Sequence, residues 1–271
     1  MGVIPLAVGG GAVEGPTTTS GGIPTVSAAA TANTKGAYTQ LVASTGFDYD
    51  GLLVMYAAVS ANVSYLLDVA IGAAASEVII AGDIHTSWQN NIPQWFYIPR
   101  PIPAGTRIAA RCQSSTLSSQ MRVSAVGVKG GWFAPSGGGD VVTLGANTAD
   151  SGGTPIDAGA TANTFGAWVQ LAASTTSDIK GMCCTSGGIN NATPTTGQGL
   201  LQIGVGAAAA EQPVLELPFQ MGTAGDNYGP LPHLWLPCSI PAGSRVAARW
   251  MSTVTDATDR IFDVVAHGWE A

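Results

Sequence analysis

ATANTKGAYTQLVAST, residues 30–45, recurs as ATANTFGAWVQLAAST at residues 160–175, with twelve identities in sixteen positions and an offset of 130. Working outward, LLDVAIGAAASE (66–77) returns as LLQIGVGAAAAE (200–211) at an offset of 134, and YIPRPIPAGTRIAAR (97–111) as WLPCSIPAGSRVAAR (235–249) at 138. Ala125 and Gly127 then lie over Ala266 and Gly268 at 141. Self-similarity in this order along the chain predicts one domain written twice. The copies run over residues 22–131 and 152–271, after an arm at 1–21 and around a Gly/Ser-rich linker at 132–151 whose apolar run Val141–Leu144 is placed to dock as a strand.

Each copy reads as β. Every odd position from Leu53 to Ile71 is apolar, while the even ones include Ser60, Asn62, Ser64 and Asp68, which is a period of two. A helix is excluded by the second copy, where the same place carries the breaker-rich GGINNATPTTGQG (187–199). Strands are expected in the first copy at 25–30, 36–44, 51–59, 64–72, 77–81, 94–99, 106–113 and 120–128. The fold class that follows is all-β: two tandem antiparallel β-sandwich, jelly-roll-like domains related by internal duplication. The growth of the offset, by 4, 4 and 3 residues, falls in alternate loops, so the second copy is enlarged at one end only, near 187–199, 219–230 and 252–259. Loops on a rigid scaffold commonly carry binding, and drift in unconstrained loops is the competing account.

Composition removes several functions. Charged residues are 10% of the 271, against roughly a quarter in ordinary globular chains, and there are 36 Gly and 16 Pro. Ten Lys plus Arg against seventeen Asp plus Glu gives a net charge of −7, which repels a phosphate backbone and argues against nucleic-acid binding. No apolar run reaches the length of a membrane-spanning helix, so no membrane insertion is expected, and the first residues lack the basic region of a secretory signal. Cys112, Cys183, Cys184 and Cys238 are too few for a disulfide framework and read as reduced and structural. No cofactor or metal is expected: the three histidines, His85, His233 and His267, lie at unmatched positions, with none at ligand spacing from a cysteine.

The motifs that suggest chemistry are weak. Gly204-Val205-Gly206-Ala207-Ala208-Ala209 has the spelling of a dinucleotide fingerprint, but Glu211-Gln212-Pro213 follows where a helix is required, so it reads as a tight turn. Phe47-Asp48-Tyr49-Asp50-Gly51 opens like a calcium loop and lacks the remaining ligands, so it too reads as a turn. Arg107 and Arg111, matched by Arg245 and Arg249, fall four apart on one strand face, and Glu77 and Glu211 are their repeated partners. An ion pair inside each copy is the plain reading and an anion-binding site the sharper one. Asn190, Asn191, Asp226, Asn227 and Tyr228 on the enlarged loops, with Trp88, are the candidates for contact with a partner or a glycan. Trp95, Tyr97 and Trp235 border the same end, where rings could stack on sugars or plug the sandwich. Asp226, Asp256 and Asp259 could be imagined as the carboxylates of a polysaccharide-degrading enzyme, although sequence fixes no separation between them.

The tandem segments Ile-Pro-Ala-Gly-Thr-Arg-Ile (102–108) and Ile-Pro-Ala-Gly-Ser-Arg-Val (240–246), each with Gly-Ala-Ala-Ala upstream, resemble the β-sandwich virion proteins of tailed bacteriophages. The resemblance implies a non-enzymatic structural part of the particle, such as a capsid decoration protein or a tail or fibre component. Its expected partners are further copies of itself and other virion proteins, with the virion as its location. Sparse surface charge implies burial against neighbours and points the same way. A glycan-binding module for adsorption to a host surface is the alternative, and the polysaccharide-degrading enzyme a third.

Overall fold

The computed structural model describes residues 4–6, 11–14, 23–58, 63–86, 94–129, 139–187, 197–221, 235–253 and 262–270. The chain is all-β. Two short strands, β1 (Ile4–Leu6) and β2 (Gly11–Glu14), precede β3 (Thr25–Ser27), β4 (Thr39–Val42), β5 (Gly51–Ala58), β6 (Tyr65–Ile71), β7 (Val78–Thr86), β8 (Gln94–Ile98), β9 (Ile108–Ser114) and β10 (Gln120–Lys129). The second half contains β11 (Val141–Leu144), β12 (Thr154–Ile156), β13 (Val169–Ala172), β14 (Ile179–Gly187), β15 (Gly197–Val205), β16 (Gln212–Met221), β17 (Leu236–Ile240), β18 (Val246–Ser252) and β19 (Phe262–Glu270).

In the first half the sheets run β4-β9-β6-β7 and β2-β10-β5-β8, with β3 also on β10; in the second they run β13-β18-β15-β16 and β11-β19-β14-β17, with β12 on β19. All these ladders are antiparallel, and each half is a jelly-roll sandwich of identical strand order. The linker strand β11 lies beside β19 as the arm strand β2 lies beside β10, so arm and linker each lend a strand to the sheet that follows.

The repeated blocks encode the turns that hold each sandwich. Thr45 Oγ1 donates to the Pro103 carbonyl at 2.8 Å and accepts the Thr106 N–H at 3.0 Å; Thr175 does the same to Pro241 and Ser244 at 2.9 and 3.1 Å. Both Ile-Pro-Ala-Gly turns are therefore pinned by the last residue of the first repeated block. Gly36 and Gly166 let the chain cross its neighbour, since a Cβ there would sit 2.0 Å and 2.2 Å from the carbonyls of Ser27 and Asp157.

The two cores keep one plan with different fillings. Tyr65 and Cys112, both buried in the first, give way to Gly199 and Trp250 in the second, where Trp250 packs edge-on against Phe262 at 5.0 Å. One large ring has moved to the neighbouring strand, which conserves volume.

Two details depart from the sequence expectation. β7 continues to Thr86, beyond the expected end at residue 81, because Asp83 adopts φ 51 and the strand passes Gly82-Asp83 through a bulge instead of a turn. In β5 the core positions are the even ones, Leu52, Val54 and Tyr56, and the apolar odd residues Leu53, Met55 and Ala57 face outward, half-buried. The period of two is real, but the chain reverses between β5 and β6, so odd residues become the core face only in β6.

Candidate functional site

Three places gather polar or aromatic chemistry: the outer face of each four-stranded sheet, and the junction between the halves.

On the first of these faces, Arg107 Nη1 donates to Glu77 Oε1 at 2.9 Å and to the Gly72 carbonyl at 3.2 Å, while its Nε reaches Gln40. The second face repeats the arrangement, with Arg245 on Glu211, the Gly206 carbonyl and Gln170. Burial alone would raise the Glu77 and Glu211 carboxyls, but backbone N–H groups and the facing guanidinium outweigh it and hold both below the usual value. These pairs clamp the Gly-Ala-Ala-Ala turn onto the next strand, where Ala75 and Ala209 both take φ 64.

The second arginine of each pair has diverged. Arg111 Nε donates to Asp68 Oδ2 at 2.9 Å beneath the Tyr38 ring, and Asp68 Oδ1 accepts Lys35 Nζ at 2.6 Å and the Asp83 N–H at 3.0 Å. The Asp68 side chain is 3% exposed and fully occupied by cations and an amide. In the second half Phe165 stands for Lys35 and Gln202 for Asp68. Arg249 lies against both Phe165 and Trp168, 4.6 Å and 4.3 Å from the ring centroids, and its Nε donates to Gln202, which in turn donates to Glu216 at 2.7 Å. Trp168 needs Gly204 beneath it, since a Cβ there would sit 2.5 Å from the ring. The first glycine of the fingerprint-like run is therefore a strand residue making room for an indole, and only Gly206, at φ +136, makes the turn.

At the junction, the outer face of the β11-β19-β14-β17 sheet closes the flank of the first sandwich where its edge strands β7 and β8 end their sheets. Trp235 donates its indole N–H to the Tyr97 carbonyl at 2.7 Å, and Thr143 its hydroxyl to the Gly82 carbonyl at 2.6 Å. Phe96 packs edge-on against His267 at 4.9 Å and Trp235 at 6.0 Å. Cys183 belongs to the first core cluster, with Val141 and Trp235 against it. His267 is fully buried between the hydroxyls of Thr143 and Thr185. Gln113 reaches the Thr148 carbonyl and Ser151, and Ser151 donates to Asn33, while Arg100 pairs with Asp140. Tyr97 and Trp235, expected at the loop end, are engaged at this junction. Sequence reasoning missed the junction because its residues are spread over the whole chain; the mismatch of Cys183 and His267 with their apolar first-copy counterparts Leu53 and Val126 was its trace.

The loop candidates Trp88, Asn190, Asn191, Asp226, Asn227 and Tyr228 lie outside the described residues, as do Asp256, Asp259 and His233. The anchor points of their loops converge: Gly197 pairs with Met221 and Gly199 with Ser252, so the enlarged connections leave from one end of the second sandwich. Asp48 and Asp178 accept the N–H groups of Ala104 and Ala242, which makes the calcium-like segment a turn clamp. Among the described residues, no three His, Cys, Asp or Glu side chains gather as a metal site, and no helix is long and apolar enough to cross a membrane.

No family model and no curated protein matches the chain. Among solved structures, similarity reaches PNGF-II at 7% identity and a TM-score of 0.39, over 95% of this chain and 65% of that one. It extends to the CBM22-1–CBM22-2 tandem domain from Paenibacillus barcinonensis at 12% identity and 0.25, over 96% and 92% of the two chains. The tandem CBM51 modules of a family 98 glycoside hydrolase from Streptococcus pneumoniae follow at 10% and 0.24, over 91% and 83%. The chain thus spans less than two thirds of PNGF-II. None of these scores reaches 0.5, so the architecture rests on the sheet orders above and no function passes to this chain from the likeness.

Proposed function

We propose that this protein is a non-enzymatic assembly subunit, a decoration, tail or fibre component of a bacteriophage virion, working by burial of its surface against neighbouring chains. One observation carries the reading: most of the described cations are tied up in contacts within the chain, with Arg122 and Lys129 left exposed. Lys35, Arg100, Arg107, Arg111 and Arg245 are committed to pairs across the sandwiches, Lys180 to its neighbour Asp178, and Arg249 to two rings. An exterior this sparse in charged residues, and carrying apolar residues on the outside of β5 and β10, offers surface suited to burial against neighbouring chains. The test is mass spectrometry and antibody labelling of purified particles. Stoichiometric, surface-located protein supports the reading, and its absence from particles overturns it.

A second reading, glycan binding, is favoured by the Phe165, Trp168, Arg249, Gln202 and Glu216 constellation, which joins rings to bidentate polar groups on an outer sheet face. Glycan-array binding that Trp168→Ala abolishes, with the fold intact, would establish it. No binding by the native chain would remove it.

A further inference from the structure

The duplicated junction is half used, and the geometry points to its repetition between chains: the outer face of β5 and β10 in one copy closes the β16/β17 flank of the next, head to tail. This deepens the assembly reading and rests on it.

The argument is a comparison of equivalent surfaces. In the second half the outward residues of β14 and β19, Cys183, Thr185 and His267, are buried to 1% or less because they cover the first sandwich. Their counterparts by strand register, Leu53, Met55 and Val126, are more apolar and remain half-buried, with Val128 beside them and Trp95 44% exposed on the adjoining β8. β5 is thus apolar on both faces, the pattern of a strand covered on both sides.

The flank that such a face would close is open in the second half. Ile80 of the first flank is 1% exposed, whereas its counterpart Val214 is 36% exposed. Ile98 is fully buried, whereas its counterpart across the equivalent ladder, Leu236, is only half-buried. Each chain therefore presents one uncovered covering face and one uncovered flank, the two members of a contact it already makes internally. A face-to-flank contact is heterologous, so repetition closes a ring or extends a filament.

Sedimentation velocity on the full chain and two variants tests this. Val126→Asp disables the face, and Val214→Asp disables the flank; both positions are accessible, and circular dichroism with a retained melting transition confirms folding. The native chain is expected to form concentration-dependent species larger than a dimer, each variant alone to stay monomeric, and their equimolar mixture to stop at a heterodimer. A native chain that is monomeric at high micromolar concentration overturns the proposal, as does a Val214→Asp variant that still self-associates, because that shows an isologous face-to-face contact. The assembly reading fails separately: absence from particles removes the virion role while head-to-tail assembly in solution stands, and a monomer in solution found on particles does the reverse.

Discussion

Trp235 donates its indole N–H to the carbonyl of Tyr97 across 2.7 Å, and the two residues occupy the same position in the two repeats. Equivalent residues thus meet as unequal partners, one giving a side chain and the other a backbone acceptor, which makes the contact between halves directional.

Trp235→Phe keeps a ring beside Phe96 and removes only that hydrogen bond, so it is expected to lower stability by about 1 kcal/mol. Trp235→Ala also opens the closed flank and is expected to cost about 3–5 kcal/mol. Denaturant unfolding of the two variants measures both; equal effects would show that the ring adds nothing at the junction.

Asp68 carries a different expectation. Its side chain balances Lys35 and Arg111 inside the first half, so Asp68→Gln takes the 2.6 Å carboxylate from Lys35, which keeps Asp83 at 2.7 Å, and the carboxylate from Arg111. A loss of about 2 kcal/mol follows from the weakened charged hydrogen bonds. The second half shows the remedy, Phe165 and Gln202 in place of Lys35 and Asp68. The double variant Lys35→Phe with Asp68→Gln is expected to recover most of the loss. Thermal melts of the two single and one double variants form the cycle, and additive losses would refute the coupling.

Acid stability joins two opposed groups. Burial pushes the imidazole of His85, whose nitrogens have no hydrogen-bond partner among the described residues, down to about 3 from 6.5. The unfolded chain takes up that proton first, so this group removes up to about 1.4 kcal/mol of stability per pH unit as pH falls from 6.5 toward 3. Asp263 is pushed the other way, up to about 7 from 3.8, by burial first, with Asp150 adding repulsion and the Gly153 N–H opposing. Its native form holds the proton more tightly, so stability is lost as pH rises from 3.8 through 7. The two slopes offset each other between about pH 4 and 6.5. Unfolding free energies of His85→Leu are expected to decline with rising pH in this window and those of Asp263→Asn to decline with falling pH. Flat profiles for both variants would contradict the assignment.

Thiol reactivity follows burial. Burial pushes Cys112 and Cys184 up to about 12, raises Cys183 well above the usual thiol value, and takes half-buried Cys238 to about 11. The native protein at pH 8 is expected to release less than about one equivalent with a thiol-reactive dye in minutes, and all four thiols in guanidinium. Rapid labelling of Cys183 or Cys184 in the native state would show the junction to be open.

Much of the fold was legible because the repeat displays it twice: the ATANT block, the Ile-Pro-Ala-Gly turns and the Arg107–Glu77 pair each recur, and each closes a contact local to one sandwich. Three features were hidden. The bulge at Asp83 looks like a turn because Gly82-Asp83 carries turn chemistry, and only the pairing of both flanks with β6 keeps the strand going. Gly204 reads as part of a tight turn until Trp168 is seen lying on it within the strand. Arg249 repeats Arg111, yet its carboxylate partner has become Gln202, so the shared letter conceals a change from ion pair to ring stack.

The final strand, Phe262–Glu270, is also an interior one, with β11 and β12 on one side and β14 on the other, and it supplies the His267 that seals the first half. Synthesis runs from the amino end, so the earlier sandwich leaves the ribosome with its side unsealed and waits for more than a hundred further residues. A chain lacking Phe262–Glu270 leaves both modules unfinished, which makes this one strand the checkpoint on whether any copy reaches its mature shape.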